Sequence, residues 1–359
     1  MLSIVIFVLV LSFLIVVHEM GHFIVAKAVG VRVERFALGF GPVLYSKTIA
    51  GTEFMICAIP LGGYVKPAGE DRLHSEGKAD EFCSKPPGHR ALIAVMGPVV
   101  NYVLAYLCLC IVFMIGYPTL SNTVGEVMDG YPAQQSGLLS GDKIVRIDSQ
   151  DIKSWDDVKN YISQSTAAEL NLVIVRDGNE VQKTLFPRND VLENIFGQKE
   201  NVRVIGIQPK EEITVFKYGF GEAVVRSGQK LWEITSLTYK ALYRIATGAM
   251  AAKDAVTGPV GIFFIIKEAA EMGISYLLYI VGIISASLAI FNLLPFPVLD
   301  GGHLVLLAIE KIRGRALPEN IEENIIRFGV SMLICLAIFV FYSDFARLGW
   351  IDKVINLGK

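Results

Sequence analysis

The feature that most constrains the fold of this chain is a set of long apolar runs that contain no charged residue. Residues 2–17, 91–116 and 272–299 form such runs, and a shorter one covers 328–343. Because a helix rises about 1.5 Å per residue, the longer runs can cross about 30 Å of hydrocarbon, and flanking arginines can snorkel to extend the shortest. The sequence therefore predicts an α-helical polytopic membrane protein with about four transmembrane helices.

Composition supports this class and limits the partners. Hydrophobic residues make up 53% of the 359 residues and charged residues only 19%, below the roughly 25% of soluble domains. A net charge of −2 gives no basic excess for binding nucleic acid, so the lipid bilayer and other membrane proteins are the expected partners. None of the five cysteines belongs to a CxxC pair, and free thiols are expected.

The first apolar run could be a signal peptide or a retained helix. A signal peptide has a basic segment before the run and a small-residue cleavage site after it. No Lys or Arg precedes Lys27, and His18 and Glu19 follow the run directly. We therefore expect a retained helix over 2–27.

The short loops predict the orientation in the membrane. Segment 27–90 contains nine Lys and Arg residues, and segment 300–327 contains four. Short loops rich in Lys and Arg stay in the cytoplasm. Both termini and the polar middle of the chain are then expected on the extracytoplasmic side.

A charged island, His18-Glu19-Met20-Gly21-His22, lies inside the first predicted helix. Residues i and i+4 share a helix face, so the two imidazoles can bind one metal ion while Glu19 acts as a general base toward a water. An isolated Glu at this depth costs on the order of 2–3 kcal/mol. The alternative is that the three side chains only pair with one another near the interface. Because ionisable groups inside a membrane usually serve function, we favour the metal site.

Two histidines leave a catalytic zinc ion one protein ligand short, since such sites use three protein ligands and a water. Asp300 is the candidate, at the end of the third run where Pro295 and Pro297 interrupt the helix, although it could also be an ordinary carboxylate at a helix end. His303 is a weaker candidate. Asn292 lies one to two turns deeper, and it could donate to a substrate carbonyl or form an interhelical hydrogen bond.

The polar middle of the chain, residues 119–210, predicts a small α+β domain. Apolar patterns at 143–148 and 170–176 predict strands, Asp177-Gly178 predicts a hairpin turn, and a helix is expected to start at Trp155. This series resembles a PDZ domain of the bacterial protease type. Such a domain can bind an extended chain by strand addition, or it can act only as a steric cap.

We accordingly divide the chain into an N-terminal membrane part, 1–118, the PDZ-like domain, and a C-terminal part, 211–359. In the C-terminal part, the weakly amphipathic stretch 215–250 predicts a helix in the membrane interface. In the N-terminal part, residues 51–60 predict a β-hairpin that is too apolar for an ordinary cytoplasmic loop. It could dip toward the active site and pair its edge, over 53–59, with an unwound substrate, or it could be a self-contained surface hairpin.

Five motifs follow one another along almost the whole chain: HEMGH at 18–22, IPLGGYVK at 59–66, GPVVN at 97–101, NLLP at 292–295 and LDGGH at 299–303. Together they resemble the site-2 protease family of intramembrane metalloproteases, and within it the bacterial branch typified by the regulator of sigma-E protease. Enterobacterial members of that branch carry two tandem PDZ domains, whereas this chain has room for one. An account of substrate gating by a tandem pair is therefore not transferred to it.

The resemblance implies a zinc metalloendopeptidase of the bacterial inner membrane that cleaves transmembrane segments. It implies that His18, His22 and Asp300 bind Zn²⁺, that Glu19 is the catalytic glutamate, and that Asn292 binds substrate. It also implies single-span membrane substrates, such as anti-sigma factors already trimmed by another protease or remnant signal peptides, cut in regulated intramembrane proteolysis.

Two other functions use the same features. A non-catalytic membrane scaffold or chaperone would act through the PDZ-like domain, and an intact HExxH motif with Asp300 argues against it. A metal transporter would also place ligands inside the membrane, but along a path rather than at one depth.

Overall fold

The computed structural model of the protein describes residues 2–71, 75–193, 199–251 and 256–347. In chain order the helices are α1 Leu2–Ala28, α2 Pro87–Ile115, α3 Pro132–Gln135, α4 Trp155–Gln164, α5 Phe220–Ala246, α6 Pro259–Met272, α7 Ile274–Asn292, α8 Asp300–Arg313 and α9 Glu319–Arg347. The strands are β1 Val33–Ile49, β2 Thr52–Pro67, β3 Tyr117–Leu120, β4 Val124–Val127, β5 Lys143–Ile147, β6 Gln150–Asp151, β7 Leu170–Arg176, β8 Asn179–Leu185, β9 Arg188–Glu193, β10 Lys199–Val204, β11 Ile207–Pro209 and β12 Ile213–Phe216.

The chain forms two compact units. One consists of Met1–Ile111 together with Val224–Lys359, and we call it the membrane unit. The other is Val112–Ala223, which we call the inserted domain.

Four of the described helices are long and apolar enough to cross a bilayer, as the sequence predicts. They are α1, α2, α7 and α9, with mean hydropathies of 2.6, 2.3, 2.2 and 2.3 over their most apolar windows. Helix α2 begins at Pro87, four residues before the uncharged run, because proline fits the first turn of a helix, where its missing N–H is not needed. Helix α9 likewise begins before its uncharged run, at Glu319, with acidic residues in its first turn.

The third apolar run is not one helix. Helix α7 ends at Asn292, and a new helix, α8, starts at Asp300. Pro295 and Pro297 lie between them, and proline cannot continue a helix because it lacks the N–H and its ring clashes with the preceding turn. The irregular turn that results carries Asp300 at its end.

Strands β1 and β2 form the hairpin region predicted after the first helix. Residue Leu38 lies opposite both Gly63 and Ile56, so the first part of β1 is flanked by two different segments of β2. The far part of β1 pairs with 52–57 in a hairpin that turns at Ala50 and Gly51, both with positive φ. Apolar side chains near this turn are exposed, including Leu44 at 69%.

This register corrects the predicted substrate edge. Residues 53–56 of β2 have β1 partners on both sides, 35–38 and 45–48, so they lie inside the sheet and their backbone is already paired. Residues 63–67 pair with the first part of β1 alone. The alternation of apolar residues could not reveal this, because it shows which side chains are buried and not which strand ends the sheet.

The inserted domain is α+β. Its main sheet has the strand order β6-β5-β7-β8, and two-stranded pairs join β4 to β11, β3 to β12 and β9 to β10. The sheet packs against α4 around a core that includes Ile144, Ile147, Leu172 and Ile174. The predicted hairpin turn is confirmed, since Asp177 and Gly178 join β7 to β8 with φ of 50° and 83°.

Candidate active site

Helix α1 places His18 and His22 one above the other. Their Nε2 atoms are 3.2 Å apart, and His18 is buried. The Nδ1 atom of His22 lies 2.8 Å from the carbonyl oxygen of Ile93 on α2. Because a carbonyl only accepts, the proton of a neutral His22 sits on Nδ1, which leaves Nε2 free to bind a metal.

Glycines allow α1 and α2 to approach closely at this point. A Cβ on Gly21 would overlap the backbone of Met96, and a Cβ on Gly97 would overlap the imidazole of His22 and crowd that of His18. Small residues are the usual means of bringing membrane helices together. The motif residues Gly21 and Gly97 therefore set the depth at which the two imidazoles lie against α2.

The irregular turn after α7 brings Asp300 to the histidine pair. Its Oδ2 lies 3.2 Å from His18 Nε2, and its Oδ1 lies 3.5 Å from His22 Nε2. Gly301 and Gly302 permit this turn, since a Cβ on either would overlap carbonyl oxygens of the preceding segment.

The donor set fits a metal ion. One atom from each of His18, His22 and Asp300 lies within 4.8 Å of the others. The Oδ2 atom of Asp300 is buried and makes no hydrogen bond to any residue that the structure describes, although it is close enough to His18 to count as an ion pair. A shared cation would satisfy three donor atoms that converge in this way, and two nitrogens with one carboxylate oxygen match a catalytic zinc site.

Glu19 lies beside this cluster. It lines the same cavity as Tyr64 and Val65 of β2, and a Cβ on Gly63 would touch its Cγ at 3.6 Å. The edge segment 63–67 of β2 is thus packed directly against the glutamate of the HEMGH motif.

All five predicted site residues line one cavity of about 510 Å³. Its walls also contain Tyr64, Val65, Arg90 and His303. Asn292 is half-buried at the end of α7. His303 is exposed on α8 and, among the described residues, does not belong to the convergent donor group of His18, His22 and Asp300.

Three further residues around the cluster carried no predicted role. Asn101 of α2 is fully buried with Nδ2 3.4 Å from Nδ1 of His18, and an ion pair joins Arg90 to Glu310. The sequence feature that could have pointed to Asn101 is a polar residue within an apolar run, and the same feature singles out Asn292.

Comparisons with known proteins place the chain in a family. The sequence profile of peptidase family M50 matches residues 6–336. A protein of Agrobacterium fabrum that is named as a zinc metalloprotease is 33% identical over 95% of each chain. The regulator of sigma-E protease of Escherichia coli is 30% identical, over 95% of this chain and 98% of that one.

Among solved structures, the PDZ domain of an SdrC-like protein from Listeria monocytogenes matches 24% of this chain and 84% of its own length, at 23% identity and a TM-score of 0.20. The matches over nearly the full length carry the assignment: this chain is a member of peptidase family M50.

Proposed function

We propose that His18, His22 and Asp300 hold one Zn²⁺ ion and that Glu19 is the general base of peptide-bond hydrolysis. The chain is a zinc metalloprotease of the site-2 type, acting on membrane proteins in the bilayer. The observation that supports these residue roles is the convergence of three donor atoms within 4.8 Å, from two segments far apart in the chain, next to the half-buried Glu19.

The chemistry follows from these side chains. When bound, Zn²⁺ polarises the scissile carbonyl and lowers the pKa of a water toward neutrality. Glu19 takes the proton from the attacking water and delivers it to the nitrogen of the leaving amine. Asn292, on the same cavity wall, donates to the carbonyl oxygen as its negative charge develops.

The substrate must be extended before it can react, because its backbone groups are paired within its own helix. The segment 63–67 of β2 is suited to receive it, since Tyr64 and Val65 line the cavity and β1 pairs with this segment on one side. An unwound substrate strand can add to the other side through main-chain hydrogen bonds. The proposed edge therefore replaces 53–59, whose first four residues are paired on both sides.

The chain is a multi-pass protein of the bacterial inner membrane. We propose that the basic segments 27–90 and 300–327 face the cytoplasm and that the PDZ-like domain, 119–210, faces the extracytoplasmic side, with membrane parts at 1–118 and 211–359. Anti-sigma factors and remnant signal peptides are the proposed substrates, since each leaves a single span after an earlier cut. The PDZ-like domain would bind or exclude their extracytoplasmic ends.

A cleavage assay tests the proposed roles. Wild-type protein and Glu19→Gln are reconstituted in proteoliposomes with a tagged single-span substrate, and fragment formation and bound zinc are measured. Loss of the base should slow cleavage about 10²- to 10⁴-fold and leave zinc content unchanged. Glu322→Gln, which removes another acid from the same cavity wall, should cleave as wild type does. Equal cleavage by Glu19→Gln and wild type would exclude the proposed base.

A further inference from the structure

Asn101 is a buried polar residue of α2 that faces the first histidine of the site. Its exposure is 0%, and its Nδ2 lies 3.4 Å from His18 Nδ1. Its Oδ1 is also buried and makes no hydrogen bond to the described residues. A polar atom that is removed from water and gains no new partner lowers the stability of the fold. A buried carboxamide of this kind is therefore expected to serve a function.

Each of the two histidines needs a hydrogen-bond acceptor for the proton on the ring nitrogen that does not bind the metal. Ile93 O accepts from His22 Nδ1, which leaves the opposite nitrogen of that ring free. Nε2 of His18 faces Asp300 and His22, so this is the nitrogen that would bind a metal. A neutral His18 that binds through Nε2 carries its proton on Nδ1, and this N–H needs an acceptor.

The acceptor available to His18 is the carboxamide oxygen of Asn101. Rotating the carboxamide half a turn about the Cβ–Cγ bond exchanges Oδ1 and Nδ2, which brings Oδ1 to Nδ1 of His18. In the orientation present, Oδ1 makes no hydrogen bond to the described residues, so the exchange breaks no hydrogen bond at that end of the carboxamide. The position of the proton on His18 therefore decides the orientation.

We propose that Asn101 is a positioning residue that accepts the Nδ1 proton of His18 and so keeps Nε2 free for zinc. Helix α2 then orients both imidazoles, one through a side chain at Asn101 and one through the backbone at Ile93. The inference rests on the proposed zinc site and adds to it a residue that does not touch the metal. Partners of this type typically change metal affinity about 10- to 100-fold.

The zinc dissociation constant of the full-length protein, measured by chelator competition in detergent micelles, tests this role. Asn101→Leu, which keeps the volume and loses the acceptor, should bind zinc about 10- to 100-fold more weakly. Asn101→Asp, which keeps an accepting oxygen at the same place, should bind at least as tightly as wild type. Ser285→Ala is the matched control, because it removes a hydrogen bond to the Asn101 backbone, 2.8 Å long, without touching the imidazole.

Two comparisons separate the possible failures. If His18→Ala loses zinc while Asn101→Leu binds as wild type does, the positioning role is wrong and the zinc ligands stand. If His18→Ala binds zinc as tightly as wild type, the ligand set itself is wrong. Should Asn101→Leu fail to fold, solid-state NMR of zinc-loaded wild type with labelled histidine still decides. A proton on Nδ1 of His18 is expected, and a metal on Nδ1 would overturn the inference.

Discussion

Arg90 and Glu310 form a buried ion pair between the first turn of α2 and the helix that begins at Asp300. Arg90 Nη2 and Glu310 Oε1 are 2.5 Å apart, and their side chains are only 5% and 15% exposed. The Nε of Arg90 also donates to the carbonyl of Lys85 at 3.0 Å. Because Glu310 lies on the same helix as Asp300, this pair fixes α8 against α2, which carries the partners of both histidines.

Breaking this pair on one side should destabilise the protein. Arg90→Gln leaves the Glu310 carboxylate in a buried place without its guanidinium, a change that costs about 3–5 kcal/mol in buried pairs. Thermal unfolding of the detergent-solubilised protein should show a clearly lower transition temperature. The double variant Arg90→Met with Glu310→Met removes both charges and should recover most of the loss. A single variant that unfolds at the wild-type temperature would show that the pair has no structural role.

The carboxylate of Asp344 should hold the start of α6. Asp344 is 2% exposed on α9, and its two oxygens accept the N–H groups of Gly258 and Gly261 at 3.0 and 2.9 Å. Asp344→Ala leaves these helix-start donors unpaired, at a cost of about 1.5–3 kcal/mol. Hydrogen exchange of the protein in nanodiscs should speed up in the first turn of α6, with Asp344→Asn intermediate. Unchanged protection there in the alanine variant would refute the cap.

The sheet edge proposed for substrate binding predicts a crosslinking pattern. In a Glu19→Gln background with Cys83 replaced by Ser, a cysteine at Tyr64 should form disulfides with cysteines scanned through the unwound part of a substrate. Because strand side chains alternate in direction, every second substrate position should react. A cysteine at Lys47, on the far hairpin segment opposite Phe54, serves as the control and should not react. Equal crosslinking at both places, or no periodicity, would argue against strand addition at 63–67.

Asp142 predicts an acid-sensitive point in the inserted domain. Burial opposes the charged form of this carboxyl, but Arg176 at 2.7 Å and the N–H of Leu139 outweigh it and hold the pKa of Asp142 below its ordinary value. Because folding lowers the pKa of Asp142, the charged pair stabilises the domain at pH values above the ordinary pKa of Asp. This stabilisation is lost as the pH falls through the pKa that Asp142 has in the folded state. Hydrogen exchange in β5 and β7 should therefore rise at acidic pH. In Asp142→Asn, which starts less stable, the acid-induced rise should be smaller, and an unchanged rise would exclude this residue as its source.

The parts of the site that can be predicted from sequence are those whose spacing has a physical meaning. His18 and His22 are four residues apart and must share a helix face, and the prolines at 295 and 297 must interrupt the third run, so the sequence alone places Asp300 at a helix break. The helix ends at Asn292, before both prolines, whereas the uncharged run continues to residue 299, because such a run measures hydrophobicity and not helical continuity.

Contacts between residues of different helices produce no recognisable spacing in the sequence. The acceptor for His22 is a backbone carbonyl, that of Ile93, and every residue has one. The pairing of Arg90 with Glu310 spans 220 positions in the chain, and the hairpin edge at 63–67 depends on a register that alternation alone cannot set. These relations depend on tertiary packing, which a pattern within one segment does not contain.

X-ray absorption at the zinc edge, on purified full-length protein, tests the central claim most directly. The account predicts a shell of nitrogen and oxygen at about 2.0–2.2 Å that contains the multiple-scattering signal of two imidazoles. The imidazole signal should fall by about half in His18→Ala, and the light-atom shell should change in Asp300→Ala. A zinc site with no imidazole signal, or a spectrum that neither substitution alters, would contradict the assignment of His18, His22 and Asp300 to one ion.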